Sequence, residues 1–421
     1  MDDHRSETII RSLKARYVFP VTADPIDGGV VAVDRQRIVA VGCSDIAGEV
    51  EDLGNVAIIP GLVNAHTHLE FSELPEPLGT PGIGMVDWIR LVIERFRRTA
   101  DNFDRPIERG LRESIQSGVT ALGQIAQPGW PVELFKKASL DTTVFLELIA
   151  SASKRVAPAI ELASQHVRSG DASACWRPGL SPHAPYSVLP RVLEAAVSLS
   201  AQFGVPLAFH LAESREELQL LRSESGPFRD LLDELGTCDP ELFTPGRRPL
   251  DYLQALHGAH RVLIVHGNYL DDEEIAFLAE RAERMSVVYC PRTHEYFRHD
   301  RYPLEKLLAA GATVALGTDS RASSPDLSLL AEMRLVAEKY PAVGRDTVLR
   351  MATLGGAAAL GRDHEIGSLQ PGKLANLAVV ALPDGTAADP HELLFNSDRP
   401  VVETWYRDTR ITAGCTDDSP E

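Results

Sequence analysis

The sequence predicts an α/β chain: a (β/α)8 TIM barrel with a small β-sandwich domain built from both chain ends. Three observations carry that prediction. Between residues 56 and 320, short apolar runs alternate with stretches of helical period, and eight such runs can be counted. Several of these runs end in a residue of ligand or acid–base type, at the strand ends where such barrels place their chemistry. Both chain ends, in contrast, are β-rich without a helical period of useful length. The expected division is 1–59 plus 365–412 for the composite sandwich and 60–364 for the barrel. A polar tail, 413–421, is expected to be disordered.

Taken in order, β-type runs fall at 15–19, 29–33 and 37–42, with Asp34, Arg35 and Gln36 as a hairpin turn. The apolar run 56–59 leads through Pro60-Gly61 to His66 and His68, and is expected to be the buried first strand of a parallel sheet. Side chains two apart on a strand share a face, so both imidazoles can reach one metal ion. With 13 histidines in 421 residues, chance alone gives roughly 0.4 such pairs, so the dyad gains its weight from context. Helices are expected over 85–98, where Met85, Trp88, Ile89, Val92, Ile93 and Phe96 share a face, and over 107–117. Strands follow at 118–122, 143–149, 177–183, 206–210, 261–266, 286–291 and 313–319, with helices at 159–167 and 189–203 between them. The extra stretch 213–261 holds two helical segments, 216–223 and 227–235, and is expected as an insertion or lid over the site. Helices at 325–339 and 345–360 precede the late strands 377–381 and 401–406.

Composition narrows the function classes. A hydrophobic content of 44% permits a large core, while no apolar run approaches a membrane span. The net charge of −18 argues against nucleic acid as a partner. Five scattered cysteines without a C-x-x-C pair suit a reducing cytoplasm, and the start Met1-Asp2-Asp3-His4-Arg5 has no signal-peptide character. The expected partner is a small molecule, with neither nucleic acid nor membrane; a homodimer is the assembly to test.

The strand-ending residues are His66 and His68, His183, His210, His266 and Asp319. A single histidine at such a place is more often a satisfied core residue. Six polar groups ending strands of one barrel are costly unless they pair or ligate. His66, His68, His210 and Asp319 make a site for one divalent ion, zinc first, with iron or manganese as the other choices. A metal there lowers the pKa of bound water so that hydroxide exists at neutral pH. Asp319 can accept the water's proton. Glu213, three residues past His210, can shuttle protons; the plainer reading is a helix-start glutamate. His266 can polarise the attacked atom or hold the nucleophile.

At this point the chain resembles a known family. Pro60-Gly-Leu-Val-Asn-Ala-His66-Thr-His68, the strand-ending His210 and His266, and Gly317-Thr-Asp319-Ser are similar to the metal-dependent amidohydrolase superfamily. So is Gly367-Ser-Leu-Gln-Pro-Gly-Lys-Leu-Ala-Asn376-Leu, with Asn376 where Asp is usual. No lysine stands on the strand ending at His183, which within that superfamily implies one metal rather than a bridged pair. His210-Leu-Ala-Glu213 resembles the deaminases of aminated heterocycles and the triazine chlorohydrolases, which implies a catalytic rather than ligating His266. Ser181-Pro-His183-Ala-Pro-Tyr186 resembles the nucleoside-type deaminases, and implies that His183 contacts substrate. Cys290-Pro-Arg292-Thr-His294, with His68-Leu-Glu70, looks like the aminodeoxyfutalosine deaminases, whose substrate is an adenosine with a benzoate-type carboxylate. That resemblance implies substrate contacts at Glu70, Arg292 and His294, with Arg292 gripping a carboxylate bidentately; an ordinary surface arginine is the competing reading. Trp88 and Glu94 resemble residues near the ribose, although an amphipathic helix explains them too.

The reaction implied is hydrolytic deamination of an aminated purine nucleoside, metal hydroxide attacking C6 with release of ammonia. The best guess for the substrate is 6-aminodeoxyfutalosine or an adenosine derivative such as S-adenosylhomocysteine. The rivals are guanine or cytosine deamination, cyclic amide hydrolysis as in imidazolonepropionase, and chlorohydrolysis. A catalytically dead barrel used for binding is the rival outside enzymes.

Overall fold

In the computed structural model, the described residues are 10–42, 49–99, 103–170, 175–244, 246–407 and 409–412. The tail expected to be disordered lies outside them, as do Cys43 and Cys415. The barrel is a parallel sheet of eight strands: β1 (Leu62–Thr67), β2 (Val119–Ala126), β3 (Asp141–Leu148), β4 (Trp176–Pro182), β5 (Pro206–Leu211), β6 (Arg261–His266), β7 (Met285–Tyr289) and β8 (Thr313–Leu316). They pair in sequence order. The first and last meet through a parallel bridge between Thr67 and Asp319. Each strand is followed by at least one helix, as right-handed crossovers require.

Closure at the β1–β8 seam depends on a glycine. A Cβ at Gly317 would lie 2.9 Å from the His66 carbonyl oxygen and 3.0 Å from Cys290 Sγ. Without it the two backbones come close enough for Thr318 N and Asp319 N each to donate to His66 O at 3.1 Å. Gly317 thus brings the carboxylate of Asp319 beside the histidine dyad.

One expectation about this region is corrected. Residues 56–59 are not the first barrel strand. Val56–Pro60 pairs antiparallel with Leu377–Ala381 and parallel with Tyr17–Val18, in a six-stranded sheet of the small domain. The chain leaves that sheet at Pro60, and β1 begins at Leu62. Two fully buried strands read alike as apolar runs, and the Pro60-Gly61 break is where one sheet hands over to the other. The six-stranded sheet holds strands from both chain ends. A second, four-stranded sheet is formed by Ile10–Lys14, Val30–Asp34, Arg37–Gly42 and Glu49–Asp52. Leu13, Val31, Ile38, Ile58, Val379 and Trp405 pack between them.

Helix α1 (Met85–Thr99) follows β1. The insertion after β5 carries α2 (Arg215–Ser223), α3 (Pro227–Glu234) and α4 (Pro249–Leu256). Ser214 caps α2 by accepting from Glu217 N, and Pro227 opens α3. The apolar faces of α1 and α3 approach one another over the barrel mouth, and Arg90 of α1 grips Glu234 of α3 with N···O distances of 2.9 and 3.2 Å. The helix expected from 325 begins later, as α5 (Leu329–Lys339), because Ser328 caps it by accepting from Ala331 N. The long helix expected over 345–360 is broken by a π-type turn at Met351–Gly355.

Candidate active site

The histidine dyad sits where β1 loses its regular pairing. The register against β2 shifts between Asn64 and Thr67, an irregularity of the kind that re-aims side chains next to active sites. The rings of His66 and His68 have centroids 4.9 Å apart, and His210, ending β5, lies 5.0 Å from His66 and 5.7 Å from His68. One ligand atom from each of the three falls within 4.8 Å of the others. Asp319 Oδ1 stands 3.7 Å from His66 Nε2 and 3.8 Å from His68 Nε2.

Whether these residues suit a metal can be tested on their hydrogen bonds. His66 is 1% exposed, yet neither ring nitrogen has a partner among the described residues. A buried imidazole without partners is costly unless something absent from the chain completes it. His210 Nδ1 donates to His183 O at 3.1 Å, which turns Nε2 toward the cluster, the orientation a ligating histidine adopts. Ser323 Oγ donates to Asp319 Oδ2 at 3.0 Å and leaves Oδ1 facing the rings. Burial holds His66 and His68 well below the usual imidazole range, and neighbouring rings add to the effect. Burial brings His210 down to about 4. All three are therefore neutral donors at pH 7, as a divalent cation needs. The set fits such an ion.

Backbone strain concentrates at the same place. Ala212, His266 and Asp319 have left-handed φ values of 54°, 68° and 54°, a conformation that costs a non-glycine residue about 1–2 kcal/mol. Each is held by hydrogen bonds. His68 N donates to Asp319 O at 3.0 Å, and Tyr302 Oη donates to His266 O at 3.0 Å. Buried Glu217 accepts from Ala212 N at 2.9 Å and from Glu213 N at 2.8 Å. Glu217 thereby folds the chain after β5 so that Glu213 Oε1 comes 3.2 Å from His266 Nε2. Burial raises the Glu213 carboxyl well above its usual range, with Asp319 and Glu217 adding negative potential. Burial also holds His266 well below 6.5. Glu213 is therefore a proton carrier beside a neutral ring.

These groups open into a cavity of about 840 Å³. Its apolar wall comes from α1 and α3, through Met85, Trp88, Ile89, Val92, Leu231 and Leu232. Its polar wall comes from Glu70, Gln127, Glu147 and His183. Glu70 accepts from Gln124 Nε2 at 2.8 Å and Gln127 N at 3.2 Å, and burial pushes its carboxyl up to about 7.

Of the substrate contacts expected from sequence, Glu70, Trp88 and His183 line this cavity, whereas Glu94, Arg292 and His294 do not. Glu94 is on the exposed face of α1. Arg292 is a correction with a clear cause. Its Nε donates to Glu332 Oε1 at 2.6 Å, Nη1 to Asp326 Oδ1 at 2.8 Å and Nη2 to Asp326 O at 3.0 Å. The fork is spent inside the protein and has no bidentate face left for a carboxylate. His294 is buried against Tyr289 and Tyr302. The cations that do line the cavity are Arg97 and Arg155. Sequence reasoning missed these two, along with Gln127, Glu147 and Glu217. Glu147 had a signal, since it lies one residue before the end of β3 as the histidines lie at the ends of theirs.

Comparison with known proteins adds four findings. The model of the amidohydrolase family matches residues 57–411. The 5-methylthioadenosine/S-adenosylhomocysteine deaminase of Moorella thermoacetica is 30% identical, over 91% of this chain and 88% of its own. Among solved structures, an adenosine deaminase from Xanthomonas campestris with bound zinc is similar at TM-score 0.78 and 25% identity, covering 97% of this chain and 94% of its own. Helicobacter pylori aminofutalosine deaminase in complex with methylthio-coformycin shares the fold at TM-score 0.83 and 22% identity, over 95% of this chain and all of the other.

Proposed function

The chain belongs to the amidohydrolase family, and from that premise we propose that it is a hydrolytic deaminase of an adenosine-type nucleoside. Water adds at purine C6, the exocyclic amine leaves as ammonia, and a 6-oxo purine nucleoside remains. The observation that carries this reading is the meeting of two units at one cavity: three neutral imidazoles beside Asp319, and the Glu213–His266 pair. His66, His68, His210 and Asp319 would hold one divalent ion, with zinc the first choice. When bound, that ion supplies Lewis-acid activation of water at neutral pH.

The remaining chemistry falls to the chain. Glu213, protonated in its buried setting, can give a proton to a ring nitrogen of the purine as the C6 carbon becomes tetrahedral. It can then take a proton from the attacking water and pass it to the departing amine. Asp319 Oδ1 faces the same space, takes the remaining proton of the added water as the 6-oxo group forms, and returns it to Glu213, which ends the turnover protonated as it began. His266 stays neutral and holds Glu213 in place through the 3.2 Å contact. The apolar wall of α1 and α3 receives the part of the nucleoside beyond the ribose and keeps bulk water out. The cavity is roomy enough for a 5′-substituent, which favours 5′-modified adenosines, S-adenosylhomocysteine or 6-aminodeoxyfutalosine over free adenine.

The test is ammonia release from adenosine, 5′-methylthioadenosine, S-adenosylhomocysteine, adenine, cyclic amides and chlorotriazines, with metal content measured on the same preparation. Turnover of the nucleosides above all others is expected. Hydrolysis of amides or chlorotriazines with intact adenosines would overturn the proposal.

A further inference from the structure

Glu147 is a buried carboxylate that the proposed reaction does not use. It stands near the end of β3, 6% exposed, on the polar wall of the cavity. Gln127 Nε2 donates to its Oε2. No hydrogen bond reaches Oε1 among the described residues. Oε1 instead faces His183 Nε2 at 4.0 Å.

That facing pair is unbonded within the protein. Ser187 Oγ lies 2.7 Å from His183 Nδ1 and 3.2 Å from Ala184 O, and it can donate to either. A neutral histidine has one N–H, so Nε2 donates or accepts according to which way that hydroxyl turns. The carboxylate oxygen opposite accepts. At 4.0 Å the two do not bond to each other; Glu147 is buried and His183 is partly exposed, and both line the cavity. Side by side there, they offer a substrate two polar atoms close together.

Neighbouring hydroxyls on one sugar ring match that pair. We propose that Glu147 Oε1 and His183 Nε2 together read the 2′,3′-diol of the substrate's ribose, so that Glu147 sets the preference for ribonucleosides over deoxynucleosides. The proposal rests on the nucleoside reading above. Glu70 is less suited to the task, because each of its carboxylate oxygens already accepts from the chain. Gln127 is the positioning residue, since its amide fixes Oε2 and leaves Oε1 toward the cavity.

The experiment compares kcat/KM for adenosine and 5′-methylthioadenosine with their 2′-deoxy and 3′-deoxy forms, in the metal-loaded wild type, Glu147→Ala and Glu147→Gln. The wild type should favour the ribo form over at least one deoxy form by about 10- to 100-fold, the range expected when a charged acceptor loses its donor. In Glu147→Ala that ratio should collapse below about threefold. The collapse should come from a larger loss on the ribo substrate than on the deoxy substrate. The near-isosteric Glu147→Gln, which keeps the side-chain volume, should show the same collapse in part and guards against loss of folding. Equal losses on ribo and deoxy substrates in both variants, or an undiminished ratio, would overturn the proposal while leaving the deaminase reading intact. A wild type that deaminates none of these nucleosides would overturn both.

Discussion

The two ends of the barrel both bury charge, and they handle it in opposite ways. At the N-terminal end of β3, Asp141 is met by Arg362 and Arg407, each with an N···O distance of 3.0 Å, and by the Tyr406 hydroxyl at 3.0 Å. Arg407 and Tyr406 lie at the end of the late strand Val401–Tyr406 and just beyond, so this cluster rivets the small domain to the barrel floor. At the C-terminal end, His66 is just as buried but has no hydrogen-bond partner at either nitrogen among the described residues. His183 and Glu147 face each other at 4.0 Å without a bond, and Glu213 carries a carboxyl pushed well above its usual range. The floor pairs its charges within the chain, although Asp141 Oδ2 and Arg407 Nε lack a hydrogen bond. The mouth leaves ligand-type groups without a counterpart. Architecture and function thus separate by whether buried ionisable groups already have their counter-charge in place.

The largest expected effect breaks the mouth. His68→Ala should lower bound metal from about one per chain to less than about a tenth, and turnover by at least about 10³-fold. Metal analysis of the purified variant checks the first and ammonia release the second. Full occupancy in that variant would remove His68 from the ligand set. Next, Glu213→Gln should keep the metal but cut kcat by about 10²- to 10⁴-fold, the usual reach of a proton-transfer group. An unchanged kcat would take Glu213 out of the mechanism.

The floor should answer differently. Asp141→Ala leaves Arg362, only 5% exposed, with Glu365 as its remaining counter-charge. A loss of about 3 kcal/mol is expected, read from the denaturant midpoint, the low end for breaking a buried pair because one carboxylate still faces the guanidinium. Turnover per folded, metal-loaded molecule should stay near the wild-type value. A variant that keeps its stability and loses its activity would erase the distinction between the two ends.

The barrel was legible in the sequence because eight buried strands, each followed by helical period, leave a pattern that little else produces. The handover at Pro60-Gly61 was not, because an apolar run of five residues does not say which sheet it joins. Residues at strand ends were easy to single out, since β-structure fixes where a strand's last side chain points. Arg292 and His294 sit one turn further on, in the short helix Pro291–Tyr296. There the direction of a side chain depends on Glu332 and Asp326, some 30 to 40 residues away in the chain. Glu147 went unread for a different reason. A glutamate inside an apolar strand looks like a tolerated edge position until the fold shows it buried on the cavity wall.

The smallest effect tests whether a group at the mouth can be paired within the chain as well. Glu217 is 1% exposed, and its partners are the backbone N–H groups of Ala212 and Glu213 rather than a cation. Burial outweighs those bonds and raises its carboxyl to about 7. The unfolded chain titrates near 4.5. Between the two values the folded state holds the extra proton, so this group's contribution to stability is full below about pH 4.5 and is lost as pH rises through 7. The span of 2.5 between these values sets an upper limit on the order of 3 kcal/mol. Glu217→Gln removes the titration, so the wild type should lose stability relative to the variant between pH 5 and pH 8. Denaturant midpoints of both proteins at the two values measure it. Parallel curves would mean that the backbone donors hold Glu217 ionised throughout, and that the turn carrying Glu213 is paired within the chain as the floor is.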